Sequence, residues 1–123
     1  MTKHLLDPEL LPLLEVMPNT PITAELVPVI REMSAKTTEL TDPAPFGVTR
    51  TEIFADNGED GGIRCLLYVP AGEHVKPGYV HIHGGGYILG SADASDLRNI
   101  TIAEALGAVV LSVDYRLAPE PRI

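Results

Sequence analysis

Residues 79–87 read YVHIHGGGY, in which an apolar strand over residues 79–83 runs directly into three glycines. Downstream, residues 94–106 place apolar side chains at helical spacing, and Gly107 follows at the position where glycine commonly ends a helix. The nearly continuous apolar run at residues 109–113 is typical of a strand buried on both faces of a parallel sheet. A strand, a helix and a strand in this order predict a right-handed crossover between parallel strands, and therefore an α/β fold.

The residues before this unit predict an antiparallel hairpin. Residues 48–55 and 63–69 have strand character and are separated by a turn rich in Gly, Asn and Asp. A proline-containing linker at residues 41–45 precedes them. We therefore divide the chain into a helical segment, residues 1–45, and an α/β core, residues 46–123.

The N-terminal segment predicts two amphipathic helices, over residues 5–17 and 23–36, because apolar side chains recur every three or four positions. Asp7 or Thr2 is placed to cap the first helix, and Pro28 disfavours the first turn of the second. Two interpretations remain open at this point. The helices either pack as part of an ordinary core or form a lid over a site elsewhere.

Composition excludes several functional classes. The net charge is −8, with no cluster of Lys or Arg, which argues against binding to nucleic acid or to an anionic membrane surface. Cys65 is the only cysteine, so no internal disulfide can form, and we expect a cytoplasmic protein with Cys65 in the core. Acidic residues and prolines interrupt the apolar stretch at the N-terminus, which therefore does not resemble a signal peptide.

The three glycines at 84–86 indicate a loop whose backbone N–H groups are open to a ligand. Glycine permits backbone angles closed to other residues and puts no Cβ in the way, so such a loop can hold a developing negative oxygen in acyl transfer. A tight turn without function is the alternative. A phosphate loop does not fit, because Gly84, Gly86 and Gly90 miss the Gly-x-Gly-x-x-Gly spacing by one residue and no Gly-Lys-Ser/Thr follows.

Other polar groups near this loop favour structural roles. His81 and His83 lie on one face of the predicted strand, as metal-dependent hydrolases place their ligands, but the other two histidines lie in helix or turn context. We therefore predict no metal site. Asp93 and Asp96 stand at the start of the predicted helix, where we expect them to cap it rather than to serve as acid and base.

A resemblance to a known family rests on two motifs. The segment 83–86, HGGG, follows an apolar strand and looks like the oxyanion motif of α/β-hydrolase lipases and esterases. The segment 113–120, VDYRLAPE, is similar to a motif of the hormone-sensitive-lipase-like carboxylesterases. The resemblance implies the N-terminal portion of an α/β-hydrolase fold. Two cap-like helices would precede the hairpin and the strand–helix–strand unit of a mostly parallel sheet.

The resemblance also implies roles for individual residues of the glycine loop. The backbone N–H groups of Gly85 and Gly86 would be oxyanion donors, and His83 would anchor the loop through its side chain. Gly84 and Tyr87 would contact substrate, with Tyr87 lining the acyl pocket. No cofactor is implied.

The second motif would be scaffold. By the same resemblance, Asp114, Tyr115 and Arg116 would be scaffold, with Arg116 bound in a buried ion pair rather than taking part in the chemistry.

The sequence departs from the family where the catalytic serine is expected. It contains no Gly-x-Ser-x-Gly, and no histidine follows His83, so the nucleophile, acid and base of the family are missing from these 123 residues. We therefore expect the N-terminal part of a serine carboxylesterase for short acyl esters, inactive alone and partnered by the remainder of the same enzyme. The alternative is a small-molecule-binding module of the same fold, as in the plant gibberellin receptors.

A last expectation concerns the glycine-loop strand. In the fold that the chain resembles, this strand lies beside the strand of the nucleophile, so Val80 and Ile82 should lie on an open edge. An exposed apolar edge recruits another strand. We therefore predict that the isolated chain either binds the C-terminal part of the enzyme or forms homo-oligomers or aggregates.

Overall fold

The computed structural model describes residues 7–16, 21–58, 61–73 and 76–120. These residues form three α-helices and four strands, with short 3-10 turns at Pro8–Leu10, Ala44–Phe46 and Asp93–Ser95. In chain order the elements are α1 (Leu11–Val16), α2 (Leu26–Thr37), β1 (Val48–Ala55), β2 (Ile63–Pro70), β3 (Gly78–Ile82), α3 (Asp96–Leu106) and β4 (Val109–Val113).

The four strands form one mixed sheet in the order β1-β2-β4-β3. The predicted hairpin is confirmed, since β1 pairs with β2 antiparallel and Val48 lies opposite Pro70. The predicted parallel pair is also confirmed, because β3 runs beside β4 with Gly78 opposite Val109. Between them, α3 makes the crossover, so the carboxyl ends of β3 and β4 lie side by side.

One face of the sheet packs against α3. Ile100 and Ala103 of the helix and Tyr68 and Val110 of the sheet are completely buried. Burial of such side chains contributes about 1.5–3 kcal/mol for each large apolar group. Gly107 ends the helix in the left-handed conformation, as the sequence predicts, and its N–H bonds back to the last turn.

The other face of the sheet lacks a helix among the described residues. Val80 and Ile82 are 62% and 67% exposed there, and β3 is an edge strand of the sheet. The expectation of an open apolar edge at these two residues is confirmed within the described part of the chain. The association that we predict from it stays a prediction.

The N-terminal helices differ from the predicted ones in length. Asp7 caps the 3-10 turn by accepting a hydrogen bond from the N–H of Glu9 at 3.0 Å, whereas Thr2 lies outside the described residues. The second helix begins at Leu26, three residues later than predicted, so Pro28 lies in its first turn, where its missing N–H costs nothing. In the described part of the chain, no helix combines the length and apolar character needed to cross a membrane.

Candidate active site

The glycine loop leaves β3 at His83 and makes a tight turn that ordinary residues cannot adopt. Gly85 has a φ of 134°, and a Cβ there would lie 1.9 Å from the carbonyl oxygen of Leu89. Gly90 has a φ of 94°, and a Cβ there would meet the carbonyl of Gly84 at 2.4 Å and the His83 ring at 2.5 Å. Both positions therefore require glycine, because the backbone of the loop folds so closely on itself that no Cβ fits.

Three backbone carbonyls of this loop accept hydrogen bonds from neighbouring groups. Gly85 accepts hydrogen bonds from the N–H groups of Ile88 and Leu89, at 3.2 and 2.9 Å. The carbonyl of His83 accepts from the Tyr115 hydroxyl, at 2.8 Å. The carbonyl of Tyr87 accepts from the backbone N–H of Ala118, also at 2.8 Å. These bonds fix the orientation of successive peptide planes.

Two N–H groups of the same loop are open, whereas that of Ile88 bonds to the carbonyl of Gly85. Gly84, Gly85 and Gly86 are exposed, and no acceptor among the described residues takes the N–H of Gly85 or Gly86. The partial positive charge of these N–H groups is therefore not neutralised by an acceptor within the described residues. Such an arrangement can stabilise an oxyanion without reorganising.

His83 lies beneath the loop and is 5% exposed. Its ring stacks on Tyr115 with centroids 4.3 Å apart, and Nδ1 lies 2.9 Å from the carbonyl of Gly84. A carbonyl only accepts, so Nδ1 donates in this contact. Tyr87 stands at the other end of the loop with a φ of 64° and is 76% exposed, which leaves its ring available to a bound molecule.

Asp114 of the second motif binds Arg64 of β2. Arg64 donates to Asp114 at 3.1 Å, to Asp93 at 2.8 Å and to Glu52 at 2.6 Å. The hydrogen bond to Asp93, followed by those to the other two carboxylates, raises the pKa of Arg64 further above its already basic value. Asp114 also accepts from the N–H of Ala92 at 2.9 Å, which ties the start of the α3 region to the end of β4.

Two expectations for charged residues are wrong. Arg116 is exposed, so it does not lie in a buried ion pair; Arg50 and Arg64 instead make partly buried ion pairs. Asp93 does not cap the helix, because its carboxylate is bound to Arg64.

Asp96 was also expected to cap α3, and this too is wrong. The residue is 2% exposed, and its carboxylate accepts from Arg50, from the Tyr68 hydroxyl and from the N–H of Thr41 at 2.9, 2.8 and 2.7 Å. Burial and then this hydrogen bond raise the pKa of Tyr68. Asp96 therefore joins the helix to the sheet and to the linker from the N-terminal segment.

Arg31 of α2 reaches both loops of the site. Its Nε donates to the carbonyl of Ile88 at 2.8 Å, and its terminal nitrogens donate to the carbonyl of Ala118 at 2.5 Å and to the carboxylate of Glu120.

A cavity of about 330 Å³ lies beside Arg31, between α2 and the glycine loop. The cavity is lined mainly by small and aliphatic side chains, which include Ile30, Ala35, Leu89 and Leu117.

His81 lies below the loop, on the face of β3 that α3 covers. Burial, and then the charge of Arg98, lowers the pKa of His81. Among the described residues, no group of three or more His, Cys, Asp or Glu side chains is placed to hold a metal ion. Cys65 is 1% exposed, as expected for a core residue.

Comparison with known proteins identifies the fold and its relatives. Residues 79–123 match the profile of the Abhydrolase_3 family, described as an alpha/beta hydrolase fold. The chain is 33% identical over 119 residues to an arylesterase of Saccharolobus solfataricus, covering 94% of this chain and 38% of that protein. It is 35% identical over 121 residues to the carboxylesterase NlhH of Mycobacterium tuberculosis, covering 94% of this chain and 36% of that protein.

Solved structures agree with these sequence relationships. A bacterial heroin esterase superposes with a TM-score of 0.72 at 29% identity, over the whole of this chain and 39% of that one. An esterase of Pyrobaculum calidifontis gives a TM-score of 0.62 at 32% identity, over 96% of this chain and 37% of that one. The chain thus spans well under half the length of the relatives that it matches. It belongs to the α/β-hydrolase superfamily, and its residues 79–123 carry the signature of the hormone-sensitive-lipase-like family Abhydrolase_3.

Proposed function

We propose that the chain supplies the oxyanion-binding loop of a serine carboxylesterase. The single observation that supports this role is the asymmetry of the glycine loop. Its carbonyls at His83, Gly85 and Tyr87 are occupied, while the N–H groups of Gly85 and Gly86 have no acceptor among the described residues. Donors fixed in this way need no rearrangement when negative charge develops on a substrate oxygen.

The proposed reaction divides the work between this chain and the remainder of the enzyme. A serine oxygen from outside these 123 residues would attack the ester carbonyl carbon while a histidine, held by a carboxylate, takes its proton. The C=O π electrons would move onto the carbonyl oxygen, which the N–H groups of Gly85 and Gly86 would bind. Collapse would break the bond to the alcohol oxygen, which leaves with the proton from the histidine, and water would release the acid in a second cycle.

The proposed substrates are esters of short acyl chains. The cavity beside the glycine loop has a volume of about 330 Å³, at the lower end of the range for small-molecule pockets. Ile30 and Leu89 line this cavity and would face the acyl chain, while Tyr87 and Gly84 would contact the substrate at the glycine loop. The names of related proteins, arylesterase and carboxylesterase, support esters as the substrate class.

The proposed partner is the remainder of the esterase, either covalently continuous or as a second chain. The exposed Val80 and Ile82 on edge strand β3 support this, since a neighbouring strand would pair with the backbone edge and an element packed on that face would cover their side chains. Residues 1–45 would act as the helical cap, which is supported by the contact of Arg31 with both loops.

The test compares two preparations on p-nitrophenyl esters of two, four, eight and sixteen carbons. The purified 123-residue chain should give no turnover, and sedimentation should show association rather than a single monomer. The chain joined to the rest of the fold should hydrolyse the two- and four-carbon esters fastest. Turnover by the isolated chain, or a strict preference for sixteen carbons, would contradict the proposal. Saturable binding of an ester without hydrolysis by the complete protein would indicate a binding module instead.

A further inference from the structure

Arg31 contacts the glycine loop from outside the two motifs that define the site. We propose that Arg31 is a positioning residue that orients and polarises the N–H of Gly86 through two consecutive peptide units. The expected change in kcat rests on the proposed esterase function, whereas the expected change in the Gly86 N–H does not. Arg31 is among the residues that line the cavity beside the loop, but in this scheme its guanidinium contacts neither the reacting ester carbonyl nor the nucleophile.

The contact begins at the carbonyl of Ile88, which accepts from Nε of Arg31 at 2.8 Å. The same peptide unit carries the N–H of Leu89, which donates to the carbonyl of Gly85 at 2.9 Å. The peptide unit of Gly85 in turn carries the N–H of Gly86. A guanidinium, two hydrogen-bonded peptide units and an open N–H therefore form one continuous chain.

The direction of these hydrogen bonds determines their effect on the Gly86 N–H. A cation at the carbonyl end of a peptide unit draws electron density toward it and makes the N–H at the other end a better donor. Consecutive hydrogen bonds of this kind strengthen one another, by about 10–30% for each bond. The last N–H in this series, that of Gly86, is the one that would bind the oxyanion. The charge of Arg31 would therefore strengthen a hydrogen bond at the atom where negative charge develops.

The side chain is held rigidly enough to transmit orientation. Arg31 is only 23% exposed, and its planar fork also binds the carbonyl of Ala118 and the carboxylate of Glu120. Ala118 is itself bonded to the carbonyl of Tyr87, so both sides of the loop are fixed to the same guanidinium. A lysine has the charge but donates from a single nitrogen, so it cannot reproduce the separate Nε, Nη1 and Nη2 contacts of the planar fork.

The proposal is tested with two variants, Arg31→Lys and Arg31→Ala, made in the chain joined to the rest of the fold. Lys36→Met is the control. Lys36 lies on the same helix, is exposed, and bonds only Glu32 among the described residues, so its removal takes one cation from α2 without touching the loop. We expect kcat to fall about ten-fold in both Arg31 variants, a fraction of the loss seen when a whole oxyanion donor is removed. KM should change less than two-fold, and Lys36→Met should match the wild type.

Two further readouts separate positioning from simple structural support. Methylguanidinium added to Arg31→Ala should restore part of kcat, whereas methylammonium should not. With selective 15N-glycine labelling, the amide proton of Gly86 should shift upfield in both Arg31 variants and stay unchanged in Lys36→Met. An unchanged Gly86 resonance in Arg31→Ala would overturn the proposal whatever the activity. A shifted resonance in a protein without ester turnover would uphold it and reject the esterase function.

Discussion

Replacement of Gly85 by alanine should disable the site while leaving most of the fold intact. The new Cβ would lie 1.9 Å from the carbonyl oxygen of Leu89 and 2.4 Å from its carbonyl carbon, so this turn of the loop must open. Opening breaks the hydrogen bonds from Ile88 and Leu89 to the Gly85 carbonyl. At about 0.5–1.5 kcal/mol each, their loss should lower the free energy of unfolding by roughly 1–3 kcal/mol.

The effect on catalysis should be larger than the effect on stability. The N–H of Gly86 belongs to the same peptide unit as the Gly85 carbonyl, so it would rotate away from the oxyanion. Loss of one such donor lowers kcat by a factor on the order of 10²–10³, or about 2.7–4 kcal/mol of transition-state stabilisation. The assay is steady-state hydrolysis of p-nitrophenyl butyrate by the complete enzyme, together with urea unfolding of each variant.

Two other glycines supply graded comparisons. Gly78→Ala is the control, because Gly78 begins β3, lies outside the loop, and has no atom within 4 Å of an added Cβ. Gly86→Ala keeps the N–H and meets no atom, but its φ of 62° should cost about 1–2 kcal/mol. We expect kcat to be highest in Gly78→Ala, lower in Gly86→Ala and lowest in Gly85→Ala. If Gly85→Ala kept the kcat of Gly78→Ala, the loop would not supply the oxyanion donors.

Three further predictions concern the charged and buried groups around the site. Arg64→Met should lower the free energy of unfolding by about 1–3 kcal/mol in chemical denaturation, because it leaves three carboxylates facing one another at a partly buried position. Asp96→Ala should cost more, about 3–5 kcal/mol, since it strands a guanidinium and a buried hydroxyl; equal losses for the two variants would contradict this order. The lowered pKa of His81 means that the unfolded chain binds more protons than the folded one below about pH 6.5. Stability should therefore fall as the pH drops from 7.5 to 5.5, and His81→Phe should flatten that slope in thermal unfolding.

The elements of the fold were predictable because their signals are local. The strand before the glycines ends within one residue of its predicted limit, and Gly107 ends α3 where its position indicated. The hairpin follows from two strands and the turn between them. Period, turn residues and helix ends are properties of neighbouring residues, so a single sequence contains them.

The contacts that build the site were not predictable, because they join distant residues. Arg31 lies 57 residues from Ile88 and 87 from Ala118, and no local pattern marks it among the other cations of the chain. Asp96 gave the local signal of a helix cap, but Arg50 and Tyr68 on the sheet bind its carboxylate instead. A cap and a tertiary ion pair use the same residue type at the same position, and only the packing of the helix decides between them.

The structure gives a physical reason for two motifs some 30 residues apart to occur together. A loop that turns its N–H groups toward a substrate necessarily turns its carbonyls inward, where each needs a donor. The second motif provides two of those donors, the hydroxyl of Tyr115 to His83 and the N–H of Ala118 to Tyr87. Arg31 provides a third from the helical segment. If the loop binds an oxyanion as proposed, the motif 113–120 supports it without contacting substrate, and loss of the Tyr115 hydroxyl should disturb the glycine loop before it disturbs the sheet.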